Sequence, residues 1–320
     1  MPGGTRKVIP AASINIDPSG RVAKNSRMYS PLDTSLPLAA AAAYALSALY
    51  LKRATMEGGG LWRITFLTNW GQALVLLPLV FFGHGTLTSV ECGHILLTSL
   101  VFFLGQVSVF AGMRYGDVSI VTPVMGVKVI FVAALVTHFA HEKLPWLWWV
   151  AAGISAASAV LLAGGKTTNG RSVLPGLAGG LGAALAFSGV DVFYQEWADG
   201  LGVWRFSALV SVAMGLWSLL LLPVLEGSWW KLPDTARRAF LPGLLATIIQ
   251  VLLMAYCVVT LKGAAWANLL YSSRGLWSVA LVWGAGSAFG NSEGTAGRPV
   301  MLRRMAGAGL MLAAIALVLL

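Results

Sequence analysis

Two cations stand where water is scarce: Lys128 and Arg274 each fall near the middle of a long apolar run. A charge at the centre of a bilayer costs at least about 2.5–3.5 kcal/mol on insertion scales, so each must face a partner or a hydrated cavity. Two roles are open to them. They can clamp an anionic group, with the planar Arg fork suited to a carboxylate or phosphate. Alternatively, Asp191 neutralises one and backbone carbonyls take the other. Asp191 itself is open to two uses, a proton-coupling carboxylate or a fixed counter-ion.

Further polar groups line up with them. Ser188, Asp191 and Gln195 share one helical face at i, i+3 and i+7. Thr247, Gln250, Met254 and Cys257 share another. Asn268, Tyr271, Gly275 and Ser278 form a third, with Arg274 at its edge, and Tyr44 and Ser47 come from the first apolar run. The candidate substrate-binding set is therefore Lys128, Arg274, Tyr44, Ser47, Ser188, Gln250, Asn268 and Tyr271, with Asp191 as the coupling group. Lys128 lies about 120° from Thr122 on an ideal helix, off the polar side. A break at Pro123 and Gly126 would rephase it.

Enzyme chemistry finds little support. His138, His141, Glu142 and Lys143 cluster in a loop, but no further ligands gather nearby, so a loop at the membrane interface is expected rather than a metal site. H-E-x-x-H does not occur, no nucleophile elbow is expected, and none of the four histidines lies mid-span. No catalytic residue, metal or cofactor is assigned. A membrane-embedded enzyme is the remaining rival class.

The elements that position these groups follow from composition. The 320 residues are 57% hydrophobic and 11% charged, against about 25% charged in soluble domains. That excludes a soluble globule, a disordered chain and, despite the +10 net charge, a nucleic-acid binder, since no wet surface is left for a basic groove. Cys92 and Cys257 make neither a disulfide framework nor a paired metal site. Residues 1–34 read as a polar, disordered tail without the apolar core of a cleavable signal.

Ten apolar runs follow, near 35–53, 61–83, 94–115, 117–138, 144–164, 174–197, 203–225, 240–262, 264–289 and 301–320. Each can cross a hydrocarbon core of about 30 Å as a helix. Trp229 and Trp230 mark an interfacial loop. Gly176 with Gly180, and Gly309 with Ala313, are expected to allow close helix contact. Arg63 and Arg205, near span ends, are expected to snorkel to headgroups.

The chain repeats itself. Trp62-Arg63 recurs as Trp204-Arg205 after 142 positions, Gln106 as Gln250 after 144, Lys128 as Arg274 after 146, and Ser47 as Ser188 after 141. The drift is small and the order is kept, which predicts a duplicated five-helix unit. Five is odd, so the second copy must be inverted in the membrane, with its substrate site near mid-membrane where the copies meet.

Over 35–320 the sequence resembles the drug/metabolite transporter superfamily, specifically its EamA-type ten-helix members. The best local match runs from Gly116-Asp117-Val118-Ser119-Ile120-Val121-Thr122-Pro123 to Lys128, followed by Glu142-Lys143-Leu144. In the second half Leu270 stands where Pro123 would map, and Gly290-Asn291-Ser292-Glu293 is a displaced counterpart of the Glu142 loop. The resemblance implies an all-α integral membrane protein of ten transmembrane helices. Its units are 35–164 and 174–320, joined by a linker at 165–173.

The expected function is a secondary transporter moving a small metabolite by alternating access. The alternative is a proton-coupled exporter of drugs or amphipathic metabolites using Asp191. Expected partners are a small-molecule substrate and the lipid bilayer, with no nucleic acid, and a homodimer is compatible. The expected place is the cell (plasma) membrane, with a cytoplasmic N-terminus.

Overall fold

The computed structural model describes residues 30–115, 121, 124–163, 173–225, 227–285 and 298–319. Every regular element among them is helical. The first half contains α1 (Pro31–Ala54), α2 (Leu61–Leu76), α3 (Ser89–Tyr115), α4 (Lys128–Phe139) and α5 (Trp146–Ala163). The second contains α6 (Val173–Trp197), α7 (Val203–Ser218), α8 (Asp234–Val259), α9 (Ala264–Tyr271), α10 (Arg274–Ala285) and α11 (Arg298–Leu319).

Helix α1 starts inside the segment expected as tail. The Ser30 hydroxyl accepts the Asp33 N–H at 3.1 Å while the Asp33 carboxylate accepts the Ser30 N–H at 3.0 Å. That reciprocal cap, with Pro31 at the first helical position, sets the boundary. The rest of the tail, and the linker up to 172, lie outside the described residues.

Six helical stretches are long and apolar enough to cross a membrane: 31–59, 61–81, 89–112, 173–200, 203–224 and 234–259. Shorter apolar helices cover 125–139, 146–162 and 305–319. The described part of the fourth apolar run tightens into a 3₁₀ turn, and the ninth is interrupted by a short turn. A 3₁₀ turn at Met125–Val127 hands over to α4 at Lys128. In the second half α9 stops at Tyr271, the Ser272 and Ser273 N–H groups fold back on carbonyls of Asn268, Leu269 and Leu270, and α10 starts at Arg274. The rephasing expected near Gly126 thus has a backbone basis; Thr122 and Pro123 lie outside the described residues.

An element length recurs between the halves. Helices α2 and α7 are each 16 residues long. Gly60 (φ 71°) precedes α2 and Gly202 (φ 84°) precedes α7. Only glycine adopts that backbone at no steric cost, and each places a Trp-Arg pair in the first helical turn.

Helix α1 packs on α8, α3 on α6, α2 on α7 and α5 on α11. At the α3–α6 contact a methyl group on Gly179 would sit 2.6 Å from the Gly112 Cα. Gly180 packs against Val124, in line with its expected use. Gly309 does not: nothing lies within 4 Å of the space a side chain would take there. Two residues before Gly309, Gly307 faces the Leu162 backbone, and its carbonyl accepts from Ser158 at 2.7 Å.

Arg63 and Arg205 depart from simple snorkelling. Arg63 Nη1 donates to the Ser228 and Lys231 carbonyls, and its other nitrogens to Gly58 and Gly59. Arg205 Nη1 donates to the His84 and Gly85 carbonyls. Each cation reaches into a loop of the other half, because the unpaired carbonyls there offer fixed acceptors that a fluid headgroup layer cannot.

Candidate functional site

The breaks set up the site. Because α4 begins at Lys128 and α10 at Arg274, both cations sit on the first turn of a short helix next to an interrupted backbone. Lys128 is 8% exposed. Its Nζ lies 2.7 Å from Asp191 Oδ2 on α6. Asn268 on α9 donates to the same oxygen at 2.8 Å and to the Ala264 carbonyl at 2.9 Å. Ser188, one turn before Asp191 and fully buried, donates to the Lys128 carbonyl at 3.1 Å and to that of Ala184 at 2.7 Å. One face of α6 therefore grips Lys128 by backbone and side chain at once.

Arg274 is held differently. Its guanidinium carbon lies 5.0 Å from the Tyr271 ring centre and 5.4 Å from that of Tyr44. The two rings meet edge to face at 5.9 Å. Lys128 Nζ lies 5.8 Å from the same Tyr271 ring. Both cations thus lie within reach of the Tyr271 ring, whose π-system attracts positive charge. No carboxylate reaches ion-pair distance of Arg274 among the described residues.

A cavity of about 70 Å³ opens beside Asp191, between α2 and α3 on one side and α6, α7 and α8 on the other. Phe102, Met214 and Met254 give it apolar walls, and Gln72, Tyr194, Ser211 and Gln250 are its neutral polar residues. Gln72 donates to the Ser211 hydroxyl at 3.0 Å across the α2–α7 contact. Gln106, the repeat counterpart of Gln250, is instead engaged in a two-way amide pair with Asn69 at 3.1 and 3.2 Å.

Beyond the cavity, Gln195 closes a knot. Its amide donates to Glu142 at 3.0 Å, its side-chain oxygen accepts the Ala264 N–H at 2.9 Å, and its backbone carbonyl accepts from Lys262 at 2.6 Å. Lys262 also pairs with Asp199 at 2.7 Å. Glu142 thus serves a contact between loops, where the sequence had suggested only an interfacial position.

Most of the candidate residues converge. Lys128, Asp191, Asn268, Tyr271, Arg274, Tyr44 and Ser188 form one connected cluster, and Gln250 and Asp191 line the cavity. Ser47 stands apart, bonded to Thr247 at 2.6 Å across the α1–α8 contact. Gln72 and Ser211 were not singled out from the sequence. Each is an isolated polar residue in an apolar run, and that isolation was the signal available. One expectation is corrected: Gly290–Gly294 does carry the G-x-S-x-G spacing of a hydrolase elbow. It lies outside the described residues, and such elbows sit at the end of a strand, whereas the described elements are helices.

Comparison with known proteins agrees with this architecture. Residues 35–164 match the model of the EamA-like transporter family, a family of transporters rather than enzymes. One solved crystal structure superposes with a TM-score of 0.68 at 16% identity, covering 90% of this chain and 97% of that chain. At that identity the likeness speaks for the fold alone. No curated protein matches the chain.

Proposed function

We propose that this chain, whose residues 35–164 belong to the EamA-like transporter family of the drug/metabolite transporter superfamily, is a secondary transporter that moves a small anionic metabolite by alternating access. Ten spans form two inverted five-helix units, and the solute binds where they meet. Support for the duplication comes from the equal lengths of α2 and α7, and from the reciprocal Arg63 and Arg205 contacts. Inverted repeats make the inward-open and outward-open states near-equivalent exchanges of conformation between the halves. The proposed location is the plasma membrane.

One observation carries the anion assignment. A cation from each half, at matching helix breaks, flanks the same Tyr271 ring. An anionic group bound there would draw on both, with Arg274 supplying the two-pronged contact. The test is uptake of carboxylates and phosphate esters by the purified chain in liposomes. Lys128→Gln and Arg274→Gln should each raise the apparent KM for anions selectively. Unchanged flux and preference in both variants would refute the assignment.

A second use of the same site is favoured by Asp191, which lines the cavity and binds Lys128 at once. Protonation of its carboxylate would release Lys128, so a proton gradient could drive export of an amphipathic solute. Asp191→Asn should then abolish gradient-driven flux yet leave solute exchange intact. Loss of both would point to a fixed counter-ion.

A further inference from the structure

We propose that the solute is a singly charged anion with a compact apolar body, selected by charge count. This deepens the anion assignment above and rests on it. Lys128 and Arg274 bring two positive charges and Asp191 one negative, so the cluster carries a formal excess of one positive charge. The Asp191 carboxylate is committed: Lys128 Nζ and Asn268 Nδ2 lie 2.7 and 2.8 Å from one of its oxygens. Arg274 has the faces of Tyr44 and Tyr271. A ring quadrupole attracts a cation without cancelling its charge. One incoming negative charge brings the cluster to neutrality; two would leave a net negative charge in a medium of low dielectric constant, where charge is costly.

The cavity supplies the second half of the specificity. Among the described residues, its one charged lining residue is Asp191, whose carboxylate links it to Lys128 at 2.7 Å; neither Lys128 nor Arg274 lines it, and its apolar walls include Phe102, Val190, Met214, Met254 and Val258. Unbranched thioethers adjust to irregular shapes, so these walls suit a branched or aromatic body more than a hydroxylated chain. The Gln250 carboxamide, on the same wall, can hydrogen-bond a single keto or hydroxyl oxygen on that body. A monocarboxylate with a short apolar body meets both demands. A dicarboxylate or phosphate monoester meets neither.

The experiment is uptake by the full chain in proteoliposomes of three labelled probes: ketoisocaproate with one charge, and succinate and glycerol phosphate with two. The wild type should carry ketoisocaproate at least about tenfold better in kcat/KM than either dianion. Asp191→Asn raises the cluster to an excess of two positive charges, and the ratio should move toward succinate by about tenfold. Asp191→Glu keeps the charge and should keep the ratio, with thermal unfolding of both variants verifying that they are folded. Arg274→Gln, which makes the cluster neutral, should remove the preference for the monoanion. Succinate preferred by the wild type, or an unmoved ratio in folded Asp191→Asn, overturns the charge-count rule and leaves anion transport standing. Should the wild type carry none of the three probes, the anion assignment falls and takes this inference with it.

Discussion

Lys128 and Arg274 occupy equivalent places in the two halves, yet their surroundings share little. Each is the first residue of an α-helical segment, Lys128 after a 3₁₀ turn and Arg274 after the Ser272-Ser273 turn. Lys128 is bound by an acid and 8% exposed, and its carbonyl is tied to Ser188. Arg274 lies against two aromatic faces instead. The two matched positions share a helix start and differ in what it touches. Under the proposed function, the ion-paired Lys128 also ties the halves together, and the ring-stacked Arg274 keeps more of its charge for a ligand.

The largest effect should come from separating those roles. Lys128→Met leaves the Asp191 carboxylate buried without its cation, and removal of one partner of a buried pair costs about 3–5 kcal/mol. Arg274→Met forfeits ring contacts, about 0.5–2 kcal/mol, and a hydrogen bond to the Tyr271 hydroxyl. Thermal unfolding in detergent should therefore rank Lys128→Met well below Arg274→Met, while anion uptake suffers at least as much from the latter. Adding Asp191→Asn to Lys128→Met should recover part of the stability, because the two groups share one interaction. A lower melting temperature for Arg274→Met than for Lys128→Met would reverse the assignment.

A second contrast, smaller in effect, lies in the paired helix contacts α3–α6 and α1–α8. A methyl on Gly179 would meet backbone: the Gly112 Cα and the Ser108 carbonyl, both at 2.6 Å. A methyl on Gly243 would meet the Leu51 side chain at 2.8 Å, which can rotate away. Gly179→Ala should cost about 1–3 kcal/mol through forced separation of α3 and α6. Gly243→Ala should be near neutral, since alanine regains up to about 1 kcal/mol of helix propensity over glycine. Equal melting temperatures for the two variants would mean that the α3–α6 contact is not the tight one.

The sequence exposed some of this and hid the rest for identifiable reasons. A cation in an apolar run must find an acid or a cavity, so Lys128 and Asp191 were legible as soon as spans were drawn. Tyr271 was legible from its helical spacing to Arg274, but Tyr44 was not tied to Arg274, because 230 residues separate them and no periodicity reports such a contact. Gln72 and Ser211 passed unnoticed since a single polar residue leaves no pattern. The Gln195 knot depends on Lys262 adopting φ 48°, a left-handed turn that composition does not announce. The broken helices were half legible: Gly126 marked the first, whereas the second falls in Tyr271-Ser272-Ser273 with neither Pro nor Gly at the turn itself.

Ser47 and Ser188 give the smallest and most discriminating contrast. They are repeat counterparts, both buried, yet Ser47 bonds Thr247 and Ser188 bonds the Lys128 carbonyl. Each alanine variant loses one hydroxyl contact between helices, and the net cost of such a bond is about 0.5–1.5 kcal/mol in either case. Stability therefore cannot separate them, but transport can. Without Ser188 the start of α4 is free to shift, and with it the Lys128 ammonium that positions Asp191 at the cavity edge. Ser188→Ala should raise the KM for uptake while Ser47→Ala leaves it unchanged, at matched unfolding temperatures. An equal KM in both variants would mean that the α6 face grips Lys128 through Asp191 alone, and the backbone break at α4 would then serve folding rather than binding.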